Sequence, residues 1–249
     1  MSHTRLFAAS LAVLLVLVGQ SSAKTSSAIT AAVADSGRPA ADVARDAARK
    51  PAEMLRFAGV KPGDTVLELL AGGAYFTRLL SQTVGPKGHV YAMVPDSKSG
   101  DAQPAAAAIA ADPAYANVSV IGPGPAATLA LPPLDVIWTA QNYHDFHLSR
   151  LHLDVTSLDK LWLGKLKPGG VFLVIDHAAL AGAPVEETAD KLHRIDPAAL
   201  RNEVVGAGFL FDGESNVLRN DGDPHVALVF DASIRGKTDQ IVFRFRRPK

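Results

Sequence analysis

The sequence predicts an α/β protein with a doubly wound, mostly parallel sheet of seven strands that ends in an antiparallel hairpin. Two observations carry this prediction. Short apolar segments alternate with helical patterns through most of the chain, which is the order of repeated βα units around a parallel sheet. Near the C-terminus, two strand patterns follow each other without a helix between them. The chain has 249 residues, of which 48% are hydrophobic, so it can form one substantial core.

Five of the predicted strands are apolar almost throughout, as expected where helices cover both faces of a parallel sheet. These strands are predicted at Thr65–Leu70, His89–Val94, Val118–Ile121, Leu134–Thr139 and Val171–Asp176. The last two strands, which form the hairpin, are predicted at Phe209–Glu214 and Gln240–Phe245.

Helical patterns fill the intervals before and between these strands. They are predicted at Asp42–Ala48, Pro51–Ala58, Tyr75–Thr83, Ala102–Ala111, Asp154–Leu166 and Pro197–Ala207. Gly59 and Gly208 follow two of these segments, in the position where glycine commonly ends a helix.

The first 23 residues have the composition of a secretory signal peptide. Arg5 gives a short positive region, Leu6–Val18 is an apolar run, and Ser21–Ala23 supplies the small residues that signal peptidase accepts. A membrane-spanning helix needs about 20 apolar residues, so this run favours cleavage after Ala23 over the alternatives of a membrane anchor or a buried helix. We therefore expect a periplasmic or secreted protein without stable membrane insertion.

The segment after the signal peptide differs in composition from the rest of the chain. Residues 24–38 are rich in Ala, Ser and Thr and are predicted as a flexible linker, with one folded domain over 39–249.

Charge and cysteine content exclude several classes of function. The formal net charge is zero, so the chain lacks the basic field that drives binding to nucleic acid, and we expect no nucleic-acid partner. The chain has no cysteine, which excludes disulfides, thiolate nucleophiles and Cys-ligated zinc. A metal site would have to use His and carboxylate ligands.

Three segments carry a resemblance to a known family. Lys61–Leu69 (KPGDTVLEL), Ala71–Thr77 (AGGAYFT) and Leu166–Asp176 (LKPGGVFLVID) resemble the first strand, the glycine loop with its helix, and the fifth strand of class I S-adenosylmethionine-dependent methyltransferases. Within that superfamily the chain is most similar to an exported group of predicted methyltransferases. Further points of similarity are Arg49–Pro51, Asn142–Asp145 and His193–Asp196.

The resemblance implies S-adenosylmethionine as cofactor and assigns residues to it. Glu68, Gly72 and Gly73 match the acid and the glycines of the cofactor loop, while Leu70 and Ala74 stand where that pattern has further glycines. The acid that normally ends the second strand is replaced by Val94. Asp96, two residues later, is predicted to take its role, and Asp101 in the following loop is the alternative. The list of predicted cofactor residues is therefore Glu68, Gly72, Gly73 and Asp96.

Candidate catalytic residues follow the fourth and fifth strands, where open α/β sheets place their ligands. His144 is the first choice as the base that takes a proton from the methyl acceptor, and Tyr143 is predicted to orient that acceptor. Asp176, His177 and His193 are expected in the same cleft. The acceptor is expected to be a small molecule or a surface group, and the sequence leaves its identity and the oligomeric state open.

Two alternatives stay open at this point. One is a His/Asp metal site on a methyltransferase-like fold, using His144, His147, Asp176 and His177 to activate a water for hydrolysis. The other is a binding protein without catalytic activity that has kept the fold and lost contacts to the cofactor. The preferred interpretation is a methyltransferase whose site has no metal.

Overall fold

A computed structural model describes residues 24–95 and 102–249, and its centre is a seven-stranded sheet. The strands are β1 (Thr65–Leu69), β2 (His89–Met93), β3 (Val118–Ile121), β4 (Leu134–Ala140), β5 (Leu166–His177), β6 (Leu210–Glu214) and β7 (Gln240–Arg246). Their order across the sheet is β3-β2-β1-β4-β5-β7-β6. The first five strands run parallel, and β7 is antiparallel to both β5 and β6. The predicted fold class, including the terminal hairpin, is confirmed.

Helices cover both faces of this sheet. The described part of the first helix, α1, spans residues 24–34. The others are α2 (Ala40–Val43), α3 (Asp46–Arg49), α4 (Pro51–Ala58), α5 (Tyr75–Val84), α6 (Ala102–Ala111), α7 (Pro125–Ala130), α8 (Val155–Lys165), α9 (Val185–Leu192) and α10 (Pro197–Gly206). Short 3-10 turns follow α5, α6 and β4.

Alternate residues of the central strands point to opposite faces and so build two cores. On one face, Val66, Trp138 and Leu173 pack with residues of α1, α4 and α5. On the other face, the sheet packs with α8 and α10, and Phe172 contacts an aromatic group that includes Trp162 and Phe209. Because helices cover both faces, the central residues of β1, β4 and β5 are buried, and these strands position the loops at their carboxyl ends.

The N-terminal prediction needs correction over part of its length. Residues 24–34, predicted as a flexible linker, form α1, and Ile29 is completely buried against the core beside α4. Ile29 and Val33 lie four residues apart, on one helical face, but the surrounding Ala, Ser and Thr dilute this pattern. The predicted signal peptide, residues 1–23, lies outside the described residues. Within 24–95 and 102–249, no helix has the length and apolar character needed to cross a bilayer.

The remaining predicted helices lie where the structure has helices, but the number of helices differs. The helix predicted at Asp42–Ala48 is two short helices, α2 and α3, and the segments α7 and α9 were not predicted. Both missed helices are short, with six and eight residues, and so carry little periodic signal.

Candidate functional site

A cavity of about 270 Å³ opens at the carboxyl ends of β1, β4 and β5. One wall is the loop between β1 and α5, and the opposite wall is the segment after β4. Asn142 ties these walls together, because its side-chain amide donates hydrogen bonds to the backbone oxygens of Leu70 (3.0 Å) and Ala140 (2.9 Å). Side chains from the helical layer, from β5 and from the segments after α9 and β6 complete the lining: Arg45, Arg49, Tyr75, Phe76, His177, His193, Val229 and Phe230.

The loop after β1 keeps a glycine-like backbone although two of its expected glycines are missing. Leu70 (φ 50°) and Ala74 (φ 64°) adopt left-handed conformations, as does Gly72 (φ 55°). A Cβ added at Gly73 would meet no atom within 4 Å, and at Gly72 it would meet only the Leu70 oxygen, at 3.8 Å. The two glycines therefore leave open space above the backbone, where a ligand can approach closely.

Glu68 is buried at the end of β1 and lines the cavity. Thr77 on α5 donates a hydrogen bond of 2.5 Å to its Oε2. Burial raises the pKa of Glu68 to about 8, against the opposing effects of Thr77 and Arg49. The side chain is consequently neutral near pH 7, when it can donate as well as accept a hydrogen bond.

Arg49 brings a half-buried positive charge to the same cavity. Its Nη2 donates a hydrogen bond of 2.5 Å to Gln141 Oε1, and its guanidinium lies 4.8 Å from the ring centre of Tyr75. Burial lowers its pKa to about 10, which still leaves it cationic at pH 7. No carboxylate of the described residues forms a salt bridge with it. A half-buried guanidinium without a carboxylate partner is suited to bind an anionic group of a ligand.

His144 and Asp176 form a hydrogen-bonded pair at the ends of β4 and β5. The Asp176 carboxylate lies 2.7 Å from His144 Nδ1 and also accepts hydrogen bonds from the backbone NH groups of His144 and His177. Asp176 is fully buried and His144 nearly so. The carboxylate therefore fixes the imidazole so that Nδ1 is the donor toward Asp176 and Nε2 faces the cavity.

Three polar atoms meet at the cavity side of this pair. His144 Nε2 lies 3.2 Å from His193 Nδ1 and 3.3 Å from Asp145 Oδ1, and the last two atoms are 3.3 Å apart. His193 reaches this position because Ile195 forms a parallel bridge with Ala178 at the end of β5.

The charges around His144 decide its protonation. Burial by itself lowers the pKa of His144, but the charges and hydrogen bonds of Asp176 and Asp145 outweigh burial and raise the pKa to about 10. Burial raises the pKa of Asp145, and the hydrogen bonds of His144 and His193 outweigh it and hold that pKa well below its usual range. In the protein alone, His144 therefore carries a proton at pH 7 and acts as a donor. This corrects its predicted role as a free base.

His177 lines the cavity with a different character. Its Nδ1 lies 2.7 Å from Thr238 Oγ1, and burial lowers the pKa of the imidazole to about 4. The ring is neutral at pH 7, which is the state in which a histidine can accept a proton.

Tyr143 points away from the cavity, and its predicted role in orienting the acceptor is wrong. The side chain is completely buried, and its hydroxyl lies 2.8 Å from Asp159 Oδ2 on α8 and 3.2 Å from Glu203 Oε2 on α10. His147 is also turned to this side, with Nε2 2.9 Å from Glu203 Oε2.

The structure consequently assembles some of the predicted site residues and separates others. Glu68, Gly72, Gly73, His144, His177 and His193 line the cavity, and Asp176 supports His144 from behind. Asp96 lies outside the described residues. The alternative metal set of His144, His147, Asp176 and His177 does not converge on one point, because His147 and His177 have other partners. Arg49 and Asp145 also line the cavity but were not among the predicted site residues; both lie in segments that carry the family similarity.

The space between the glycine loop and the ends of β2 and β3 is filled by side chains of the described residues. Side chains from α6 and from the ends of these strands pack against Gly72 and Ala74 and leave no space that a water molecule could enter. Residues 96–101, which connect β2 to α6, lie outside the description, so this closure concerns the described residues only.

Comparison with known proteins assigns the fold. No family model matches the chain, and no curated protein matches its sequence. Among solved structures, the chain is similar to a SAM-dependent methyltransferase of Aquifex aeolicus, with 20% identity and a TM-score of 0.54 over 78% of this chain and 88% of that one. It is also similar to Aeropyrum pernix fibrillarin with natively bound S-adenosyl-L-methionine (14% identity, TM-score 0.52, 81% and 76% coverage). A third similar structure is an arsenic(III) S-adenosylmethionine methyltransferase of Chlamydomonas reinhardtii (19% identity, TM-score 0.53, 89% and 73% coverage). The chain has the Rossmann-like fold of class I methyltransferases.

Proposed function

We propose that this protein is a class I S-adenosylmethionine-dependent methyltransferase that acts on a small acceptor. One observation carries the proposal: a single cavity joins the open glycine loop and Arg49 to the polar groups at the ends of β4 and β5. A methyl transfer needs donor and acceptor sites that share one space, because the two reactants must lie in line.

The described residues fit the methionine part of S-adenosylmethionine. Gly72 and Gly73 leave backbone exposed to the cavity, and Arg49 offers its guanidinium to a carboxylate. Neutral Glu68 offers a hydrogen bond without repelling that carboxylate. The adenosine part would extend past the glycine loop, and Asp96, which follows β2 in the chain, is the proposed ribose contact. When bound, the cofactor supplies a methyl group activated by a positively charged sulfur.

The opposite end of the cavity fits an acceptor that loses a proton. Neutral His177 accepts the proton released by the acceptor, while cationic His144 donates a hydrogen bond to an acceptor oxygen. Asp176 acts through His144 and is a positioning residue.

We also propose that the protein is exported, because residues 1–23 have the composition of a signal peptide. Cell fractionation followed by N-terminal sequencing tests this. A mature chain that begins at Lys24 supports export, and an intact N-terminus in the cytoplasm contradicts it.

Isothermal titration calorimetry with S-adenosylmethionine and S-adenosylhomocysteine tests the proposed function. We expect saturable binding of both, weakened about ten- to a hundredfold by Arg49→Met, since a hydrogen bond between charged groups contributes about 1.5 to 3 kcal/mol. Arg56→Met, which removes an exposed arginine from neighbouring α4, is the matched control and should leave binding unchanged.

The outcomes separate a methyltransferase from a binding protein without catalytic activity. Binding without methyl transfer to any acceptor supports a binding protein that has kept the fold. Failure of both ligands to bind at millimolar concentration refutes the methyltransferase proposal.

A further inference from the structure

The geometry points to a binding site for a divalent first-row transition metal ion at His144, Asp145 and His193. The three candidate ligand atoms are His144 Nε2, Asp145 Oδ1 and His193 Nδ1, separated by 3.2, 3.3 and 3.3 Å. An ion with bonds of about 2.1 Å and tetrahedral or octahedral angles holds its ligand atoms about 3.0 to 3.4 Å apart. One ion can therefore bind all three atoms without a large movement of the backbone.

The hydrogen bond between His144 and Asp176 orients the His144 ring for metal binding. Metal-bound histidines usually donate their second ring NH to a carboxylate, which orients the ring and strengthens the ligand. Asp176 provides this contact at 2.7 Å from Nδ1, and it is itself held by the backbone NH groups of His144 and His177. When a metal ion displaces the proton on Nε2, the lone pair of His144 is thereby directed at the point that His144 shares with Asp145 and His193.

The set of ligands selects the class of metal. Two imidazole nitrogens and one carboxylate oxygen suit Zn²⁺, Co²⁺, Ni²⁺ or Fe²⁺, whereas Mg²⁺ and Ca²⁺ prefer oxygen ligands. Three protein ligands leave at least one coordination position open, as in catalytic metal sites. His144, Asp145 and His193 all line the cavity, so a water or an oxygen of a ligand can reach that position.

A hydrogen-bonded cluster without metal is the competing explanation. A proton on His144 Nε2 can be shared with either His193 or Asp145, and this accounts for two of the three short distances. The third distance, between His193 Nδ1 and Asp145 Oδ1, then needs a second proton in the cluster, located on His193 Nδ1. A divalent ion accounts for all three distances at once and matches the negative charges of Asp145 and Asp176.

Cobalt binding to the full chain tests the inference directly. After treatment with a chelator, the protein is titrated with Co²⁺ and followed by its visible absorption, and Zn²⁺ is then added as competitor. We expect one Co²⁺ per chain, displaced by Zn²⁺ and not by Mg²⁺. His193→Asn, which suits the left-handed backbone at this position (φ 54°), should weaken binding by more than about a hundredfold. Asp176→Asn should weaken binding by about ten- to a hundredfold.

His147→Ala provides the matched control, because His147 lies on the same turn but contacts Glu203 outside the cavity. This variant should bind Co²⁺ like the parent chain. Thermal unfolding of each variant without metal verifies that the chain is folded. Absence of Co²⁺ bands in the folded parent, or unchanged binding in folded His193→Asn, overturns the inference. The test uses no S-adenosylmethionine, so failure of metal binding is distinguishable from failure of the proposed function.

Discussion

The buried carboxyl group of Glu68 should make the stability of the protein depend on pH in an unusual direction. Its pKa is raised from an ordinary value of 4.5 to about 8 in the folded chain, chiefly by burial. Unfolding between these two pH values therefore releases a proton. Stability from this group is fully present below pH 4.5 and is lost as the pH rises toward 8.

The size of this effect follows from the two pKa values. Each tenfold change in proton affinity corresponds to about 1.4 kcal/mol, so the ionisation of Glu68 lowers the unfolding free energy by roughly 5 kcal/mol in total as the pH rises from below 4.5 to above 8. Glu68→Gln removes the ionisation and keeps an oxygen that can accept the hydrogen bond from Thr77. The variant should match the parent chain at pH 5 and exceed it in stability by several kcal/mol at pH 8.5.

Urea unfolding at pH 5, 6, 7 and 8.5 measures this difference. Comparing variant with parent at each pH cancels the titration of all other groups. Glu53→Gln, which neutralises an exposed carboxylate on α4, is the control and should give a difference that does not change with pH. If the Glu68→Gln difference is also constant from pH 5 to 8.5, the carboxyl group is not buried as described and the reasoning fails.

Three further substitutions test other parts of the description by urea unfolding. Tyr143→Phe should lower stability by about 1 to 3 kcal/mol, because buried Asp159 loses its partner, while leaving Co²⁺ binding unchanged; unchanged stability with lost binding would contradict the placement of this side chain. His152→Gly should raise stability by about 0.5 kcal/mol, because exposed His152 has a left-handed backbone (φ 48°), and His152→Ala should give no such gain. Arg194→Met should cost about 3 to 5 kcal/mol, because it leaves Asp223 buried and unpaired, and a loss below 1 kcal/mol would show that water reaches this pair.

The sheet was the predictable part of the molecule. The central residues of β4 and β5, residues 136–138 and 171–175, are apolar on both faces, and few structures other than a covered parallel sheet bury such segments. The hairpin was predictable for a related reason, since no helical pattern separates β6 from β7. In contrast, α1 was hidden because Ile29 and Val33 are diluted by small residues, and a helix of this composition is stabilised mainly by packing against α4 and the sheet.

The candidate site was predictable in location and only partly in detail. The ends of β4 and β5 follow from the fold, so His144 and His177 were expected near a ligand. Tyr143 and His144 are adjacent in sequence, yet the turn after β4 directs one to the core and the other to the cavity. The contact of Asp145 with His193 bridges 48 residues and depends on the pairing of Ile195 with Ala178, which no local pattern encodes.

The chain between β6 and β7 contributes residues to the cavity wall but no strand to the sheet. Residues 215–239 leave the hairpin and place Val229 and Phe230 in the wall of the cavity, with the Phe230 ring 5.0 Å from that of His193. Two contacts hold this excursion in place. Arg194 forms an ion pair with Asp223, and the backbone NH of Gln240 donates a hydrogen bond to the Leu218 oxygen, which joins the end of the excursion to its beginning. Exposed side chains of this excursion, such as Phe230, can vary without disturbing any βα unit. Relatives that share this sheet could thus admit different molecules by exchanging a single surface excursion, and the same exchange offers an engineer a way to retarget the cavity while leaving the core alone.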